Sequence, residues 1–445
     1  MKPTLYPANT SKNIEEIYKG SIKVETVHAE EGVMADLGML TVYAEKNGKK
    51  AEKQLTEIKQ MGKNVKIYAE VKNDYSYLKR SPTSSFYGDP LPASVGMRDY
   101  ITAFVNGYYM LRCGYYISED DVNVVRDKEL FSNRILGVTV APNIKDTANN
   151  LENSTDIKFS VLENVAIDAY IADGKLRVVF FGTETEELPN VAISANPMIS
   201  SSDVYTDENG RAVYDFTFKS VENFYGYNVV YENGFIVIKL HNPQSLKDGD
   251  KPLEGKTIVI DAGHGGKDMG AQGPTSAGSG FNEKDLNLAI ALELRNELTA
   301  KGAKVIMIRE DDSTVTLEER IEFLSNIIPD LMISVHHNSV INTVNAAKAR
   351  GYLGLYSDDA GVMLANAVSD TVTSKLSRYQ RDTAYQSLAV ARNHRFPSTL
   401  CEMSFISYTE EFQWTTAEGN YRRSAEALAS GVLEFYNRQK KYLNF

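Results

Sequence analysis

The stretch Lys256-Thr257-Ile258-Val259-Ile260-Asp261-Ala262-Gly263-His264-Gly265-Gly266 decides how the last third of the chain is read. Its first six residues form a short run rich in β-branched side chains, and the glycines break that run at once. A histidine held between glycines at the end of a buried strand is well placed to face a cleft. Working outward, Asn282-Glu283-Lys284-Asp285 opens a helix. Leu286, Ile290, Leu294 and Leu298 recur along its buried face, and Gly302 closes it. Val305–Ile308 reads as a second strand, Thr316-Leu317-Glu318-Glu319 has capping-box spacing for a second helix, and Leu331–Val335 is a third strand running into His336-His337-Asn338. Two strand ends each deliver a histidine and one helix start delivers a carboxylate. That is the ligand set of a catalytic zinc site with a fourth position left for water. His336 and His337 point to opposite faces of their strand, so one of them joins the site, and spacing alone leaves the choice open.

At 445 residues the chain has room for several domains. A net charge of -11 argues against a general nucleic-acid surface, which needs a basic footprint. Cys113 and Cys401 lie far apart and supply neither a disulfide framework nor thiolate metal spacing. No apolar run reaches the roughly 18 residues of a membrane span. The N-terminus lacks the basic-then-apolar pattern of a secretory signal.

Upstream, residues 1–63 are an N-terminal segment in which Ser11–Lys19 and Ala51–Met61 read as helices and Met39–Tyr43 as a strand. Residues 64–126 change to short strands divided by turns, with Asn106-Gly107 a hairpin signal, and suggest a small β-barrel. The order Asn106-Gly107-Tyr108-Tyr109-Met110-Leu111-Arg112-Cys113-Gly114-Tyr115-Tyr116-Ile117 resembles the closing strands of bacterial SH3-like modules. Tyr108, Tyr109, Tyr115 and Tyr116 are read as core filling ahead of ligand binding. Asp127–Asn153 reads as a polar connector, and strands from Lys158 to Leu240 as a β-sandwich, giving a second unit over 127–243. Its position and closing Phe235–Leu240 strand resemble the AMIN-like modules of peptidoglycan amidases. Gln244–Leu253 is a polar linker into a unit over 254–445. The expected architecture is multidomain. A C-terminal α/β catalytic domain with a mostly parallel central sheet flanked by helices follows two small β-rich domains.

The catalytic segment carries the specific resemblance. Val259-Ile260-Asp261-Ala262-Gly263-His264-Gly265-Gly266, then Asn282-Glu283-Lys284-Asp285-Leu286-Asn287-Leu288, then Ser334-Val335-His336-His337-Asn338 resemble the ordered motifs of the zinc-dependent N-acetylmuramoyl-L-alanine amidases. A fourth motif, Phe396-Pro397-Ser398-Thr399-Leu400-Cys401-Glu402-Met403-Ser404-Phe405, extends it. The resemblance implies that His264, Glu283 and His336 hold one Zn2+, and that Glu402 is the catalytic general base and acid. Ala262 stands where the family has proline, and Ser404 where it has glycine. Taken alone, His264 would be structural and Glu283 a helix-dipole partner. An acidic residue inside a strand as apolar as that of Glu402 is harder to explain away. Asn338 is a candidate substrate contact, while Arg309, Arg320 and Arg392 are expected in structural or surface ion pairs. His394, in a polar loop, is expected to be solvated or at the cleft rim.

The implied activity is hydrolysis of the amide between N-acetylmuramic acid and L-alanine by a zinc-activated water. Peptidoglycan is then the partner, with no nucleic acid and no membrane span. A secreted or wall-associated location follows, with the export signal missing from this sequence. The competing readings are a zinc peptidase acting within the stem peptide and a non-catalytic wall-binding scaffold.

Overall fold

The computed structural model describes residues 22–28, 37–46, 49–58, 66–73, 76–79, 91–105, 107–127, 132–147, 150–232, 234–273, 281–340, 350–386, 388–392 and 394–442. The expected helix at Ser11–Lys19 lies outside them. Residues 257–439 build one sheet from β1 (Thr257–Ala262), β2 (Lys304–Met307), β3 (Leu331–Asn338), β4 (Leu353–Tyr356), β5 (Ala384–Tyr385) and β6 (Ser398–Phe405). Its strand order is β2-β1-β3-β6-β4-β5. β1 lies parallel to β2 and β3, β3 parallel to β6, and β4 parallel to β5, while β4 and β6 run antiparallel.

Helices α1 (Glu283–Ala300), α2 (Leu317–Ser325), α3 (Asp359–Leu376), α4 (Thr409–Thr416) and α5 (Asn420–Gln439) accompany it. On one face Ile290 and Leu294 of α1, Leu364 and Val368 of α3, and Leu428 and Val432 of α5 bury Ile258, Ile260, Ile333 and Val335. On the other, Leu324 of α2 with Val390 and Phe396 covers Val259, Met332 and Leu400. Strands covered on both faces must be apolar throughout, which is how the Ile258–Ile260 and Leu331–Val335 runs read. The expected capping box forms at α2: Thr316 Oγ1 accepts from Glu319 N, and Glu319 Oε2 accepts from Thr316 N. In α1, Leu286 is only half-buried, and Asn287 takes the fully buried position beside it.

Upstream, two sheets share one core. Strands at Val191–Ile193, Ile135–Thr147, Asn150–Val161, Phe235–His241 and Tyr227–Glu232 face strands at Ile167–Ala172, Lys175–Phe180, Ala212–Phe218 and Ile199–Thr206. Phe159, Phe180, Tyr214 and Phe216 fill the space between. The expected connector at Asp127–Asn153 is instead mostly the long hairpin Ile135–Thr147/Asn150–Val161. Val138 and Val140 alternate inward there, a period that the intervening polar residues hide. The expected helix at Ala51–Met61 is also corrected, since Lys49–Ile58 is a strand paired with Leu37–Lys46. Helix propensity is overridden by antiparallel pairing with the neighbouring strand, in a register that sets Leu37 opposite Ile58 and Lys46 opposite Lys49. The same strand pairs Thr56 with Phe104, so strands on both sides of residue 63 share a sheet. Tyr116 is buried, consistent with core filling.

The sandwich is docked on the C-terminal α/β unit. Ala360 of α3 belongs to the sandwich core, Tyr225 packs edge-on against Phe435 at 5.9 Å, and Tyr227 N donates to His394 O at 2.8 Å. These contacts gather where β6 begins, opposite the strand ends that carry the histidines. His394 is therefore neither solvated nor at the rim. Its ring lies 4.8 Å from that of Tyr227, and burial, then the charge of Arg395, pushes its pKa down to about 3. Gly226 sits at φ 98°, and a Cβ there would lie 2.7 Å from His394 O. Gly226→Ala is expected to cost about 1–3 kcal/mol through strain and lost contact. Thermal unfolding checks this, and an unchanged Tm would contradict the docking.

Candidate metal centre and catalytic carboxylate

The site is built at the C-terminal ends of β1, β3 and β6, the edge at which open α/β sheets bind their ligands. After β1 the chain turns sharply: His264, Gly265 and Gly266 have φ of 61°, 138° and 56°. Two buried arginines hold this turn from beneath. Arg309 donates through Nε to Ala262 O at 2.7 Å and through Nη2 to Gly263 O at 2.9 Å. Arg320 pairs with Asp261 and donates to His264 O at 2.6 Å. Asp261 is further held by Ser334 Oγ at 2.7 Å. The two arginines thus satisfy carbonyls that a left-handed turn leaves without partners, the structural role expected of them.

Glu283, the first residue of α1, is buried and receives donors on both oxygens. Its Oε2 accepts from Ala271 N at 2.8 Å, and Oε1 accepts from His337 N at 3.1 Å. His264 Nε2 and His336 Nδ1 lie 3.2 and 2.9 Å from that same Oε1. Burial would raise the Glu283 pKa, but the two imidazoles outweigh it and hold the carboxyl far below the usual range. Burial likewise opposes the charged form of His264, yet Glu283 and Asp268 raise its pKa to about 9.

The donor atoms of His264, Glu283 and His336 all lie within 4.8 Å of one another. Two imidazoles and one carboxylate that together attract positive charge fit a zinc ion in number and type. Among the described residues no other group of three or more His, Cys, Asp or Glu is arranged to hold a metal.

The structure separates the two adjacent histidines. His336 turns toward Glu283, whereas His337 is buried on the opposite face with Nδ1 2.8 Å from Asn287 Oδ1. Burial pushes the His337 pKa down to about 4, which keeps that imidazole neutral. Glu402 stands opposite His336 in the parallel β3–β6 register, and its Oε2 is buried without a hydrogen-bond partner. Burial raises its pKa to about 7 against the opposing pull of His336. Asn338 lies beyond His336, where its Oδ1 accepts from Ser339 N at 2.7 Å.

Three further residues that shape the site were not singled out in the sequence. Asp268 Oδ2 contacts His264 Nδ1 at 2.8 Å. Asn287, one helical turn after Glu283, donates to Gly263 O at 3.2 Å and to Glu283 Oε1 at 3.3 Å. Gly263 lies under the His336 ring, where any Cβ would overlap the imidazole. The four-residue spacings His264/Asp268 and Glu283/Asn287 were the available signals. Gly263→Ala is expected to displace His336 and weaken zinc binding by at least about tenfold with the fold retained. A zinc titration beside circular dichroism tests this, and unchanged affinity would contradict it.

Residues 258–434 match the family model described as N-acetylmuramoyl-L-alanine amidase. The uncharacterized protein YqiI of Bacillus subtilis is 32% identical over 187 residues, spanning 42% of this chain and 88% of that protein. The probable cell wall amidase LytH of Staphylococcus epidermidis is 28% identical over 262 residues, 57% of this chain and 83% of the relative. Among solved structures, an N-acetylmuramoyl-L-alanine amidase from Clostridium difficile is 32% identical with a TM-score of 0.38, covering 41% of this chain and 97% of its own. The ordered motifs, the family match over residues 258–434 and the 32% identity to YqiI agree, and the chain belongs to the N-acetylmuramoyl-L-alanine amidase family.

Proposed function

We propose that this chain hydrolyses the amide bond between N-acetylmuramic acid and L-alanine in peptidoglycan, with His264, Glu283 and His336 holding one zinc ion and Glu402 moving the proton. The observation that carries the reading is Glu402, opposite His336 in the sheet register: its Oε2 is buried without a hydrogen-bond partner, and burial raises its pKa to about 7. When bound, zinc would polarise the scissile carbonyl and activate water near neutral pH. Glu283 contributes one negative charge between two imidazoles, leaving a dication there net positive. The Glu402 carboxylate accepts a proton from the attacking water and returns it to the departing amine of L-alanine. A group poised between its two protonation states near neutrality can do both. Asn338 is proposed as a substrate contact at the same strand end.

The upstream units, read as SH3-like over 64–126 and AMIN-like over 127–243, would carry wall binding or regulation. Action on peptidoglycan sets the working location at the cell wall. No helix among the described residues is long and apolar enough to cross a membrane.

Incubation with purified wall should release free stem peptide with a new L-alanine amine, abolished by a chelator and restored by zinc. Shortened peptides still attached to muramic acid would favour a zinc peptidase instead. Glu402→Gln is expected to lower turnover by about 10²–10⁴-fold while zinc affinity is kept. A variant of near-parental rate would remove Glu402 from the chemistry.

The pH dependence has a definite sign. The general base must be ionised, so kcat/KM falls as pH drops through the Glu402 pKa. That value is about 7 in the metal-free protein. A nearby dication stabilises the carboxylate, so the acid limb of the loaded enzyme should lie below 7 and disappear in Glu402→Gln. An acid limb unchanged by the substitution would assign it to another group.

A further inference from the structure

We infer that Asp268 is a positioning residue of the metal centre, fixing the ring orientation and tautomer of His264 so that Nε2 faces Glu283 and a bound divalent cation. The inference rests on the zinc reading above and names a residue outside the ligand set. His264 meets a carboxylate at each nitrogen: Asp268 Oδ2 at 2.8 Å from Nδ1, and Glu283 Oε1 at 3.2 Å from Nε2. A carboxylate can only accept, so His264 Nδ1 carries a proton and donates it to Asp268. Once a cation replaces the other proton, the Nε2 lone pair is free to bind it. His336 offers the opposite nitrogen, with Nδ1 toward Glu283 and its ring over Gly263.

The loop is built to hold this geometry. Gly265 and Asp268 exchange two backbone hydrogen bonds of 2.9 and 3.0 Å, doubling the chain back within four residues. The positive φ of Gly265 and Gly266 permits that turn. Asp268 Oδ1 also accepts from Gly270 N at 3.2 Å, which sets the rotation of the carboxylate. Gly270 is itself confined, since a Cβ there would lie 2.7 Å from Glu283 Oε2 and from the His264 ring. The Asp268 side chain is 63% exposed, and His264 is its ion-pair partner among the described residues. An exposed carboxylate adds little to the core, so its contact with His264 is the effect to explain.

The test uses the full chain stripped of metal, with zinc affinity read by competition against a chromophoric chelator for the parent, Asp268→Ala, Asp268→Asn and His264→Ala. Asp268→Ala should weaken zinc binding about 10–100-fold without lowering the unfolding temperature of the metal-free protein. Asp268→Asn should lose less, because its carbonyl can still accept from Nδ1–H. In the zinc-loaded parent, ¹⁵N-labelled imidazole spectra should show a proton on Nδ1 of His264. Zinc affinity of Asp268→Ala equal to the parent's, or a metallated Nδ1, overturns the inference. If Asp268→Ala does not fold, Asp268→Asn and the parent spectrum decide by the same criteria. Parental zinc affinity in His264→Ala would instead sink the metal-site reading itself. Loss in His264→Ala alone sinks only the role of Asp268.

Discussion

The parallel pairing of β3 with β1 on one side and β6 on the other is the constraint from which the site follows. Parallel strands end at the same edge, so residues distant in sequence arrive together without any long loop having to find its place. Ala262 stands opposite Val335, and His336 opposite Glu402. Side chains alternate along a strand, so His336 and Glu402 share a face with Met332 and Leu400, while His337 must turn to the other. A slip of one residue in the β3–β6 register would exchange the two histidines and separate the carboxyl from the cluster.

Within that frame the charges are arranged by contrast. Glu283 is buried but surrounded by donors, so it stays ionised. Glu402 is half-buried as a residue, but its Oε2 is buried without a partner, and its ionisation is suppressed. Under the proposed function the two carboxyls take different roles, one to hold charge and one to exchange a proton. The rigidity comes from beneath, where Arg309 and Arg320 tie the turn after β1 to the strands.

Much of the catalytic unit was legible in the sequence because its signals are local. Buried parallel strands are short apolar runs, α2 announces itself by Thr316 and Glu319, and the glycines mark the turn that carries His264. What was not legible depends on partners elsewhere in the chain. Lys49–Ile58 has a helical composition and becomes a strand because Leu37–Lys46 pairs with it. The Ile135–Thr147 strand hides its inward residues among polar ones. Leu286 fits the apolar period, but the first turn of α1 faces the His264, Glu283 and His336 cluster, and Asn287 bonds to that cluster instead. His394 looked solvated until the sandwich was seen to cover it. Its contact with Tyr227 also ties the upstream sheets to the edge opposite the candidate site.

The most direct measurement is the anomalous diffraction of zinc in crystals of the full chain. The account predicts one ion about 2.0–2.2 Å from a nitrogen of His264, a nitrogen of His336 and an oxygen of Glu283, with the Glu402 carboxyl facing its open side. Zinc bound elsewhere, or Glu402 turned into the apolar core, would contradict it.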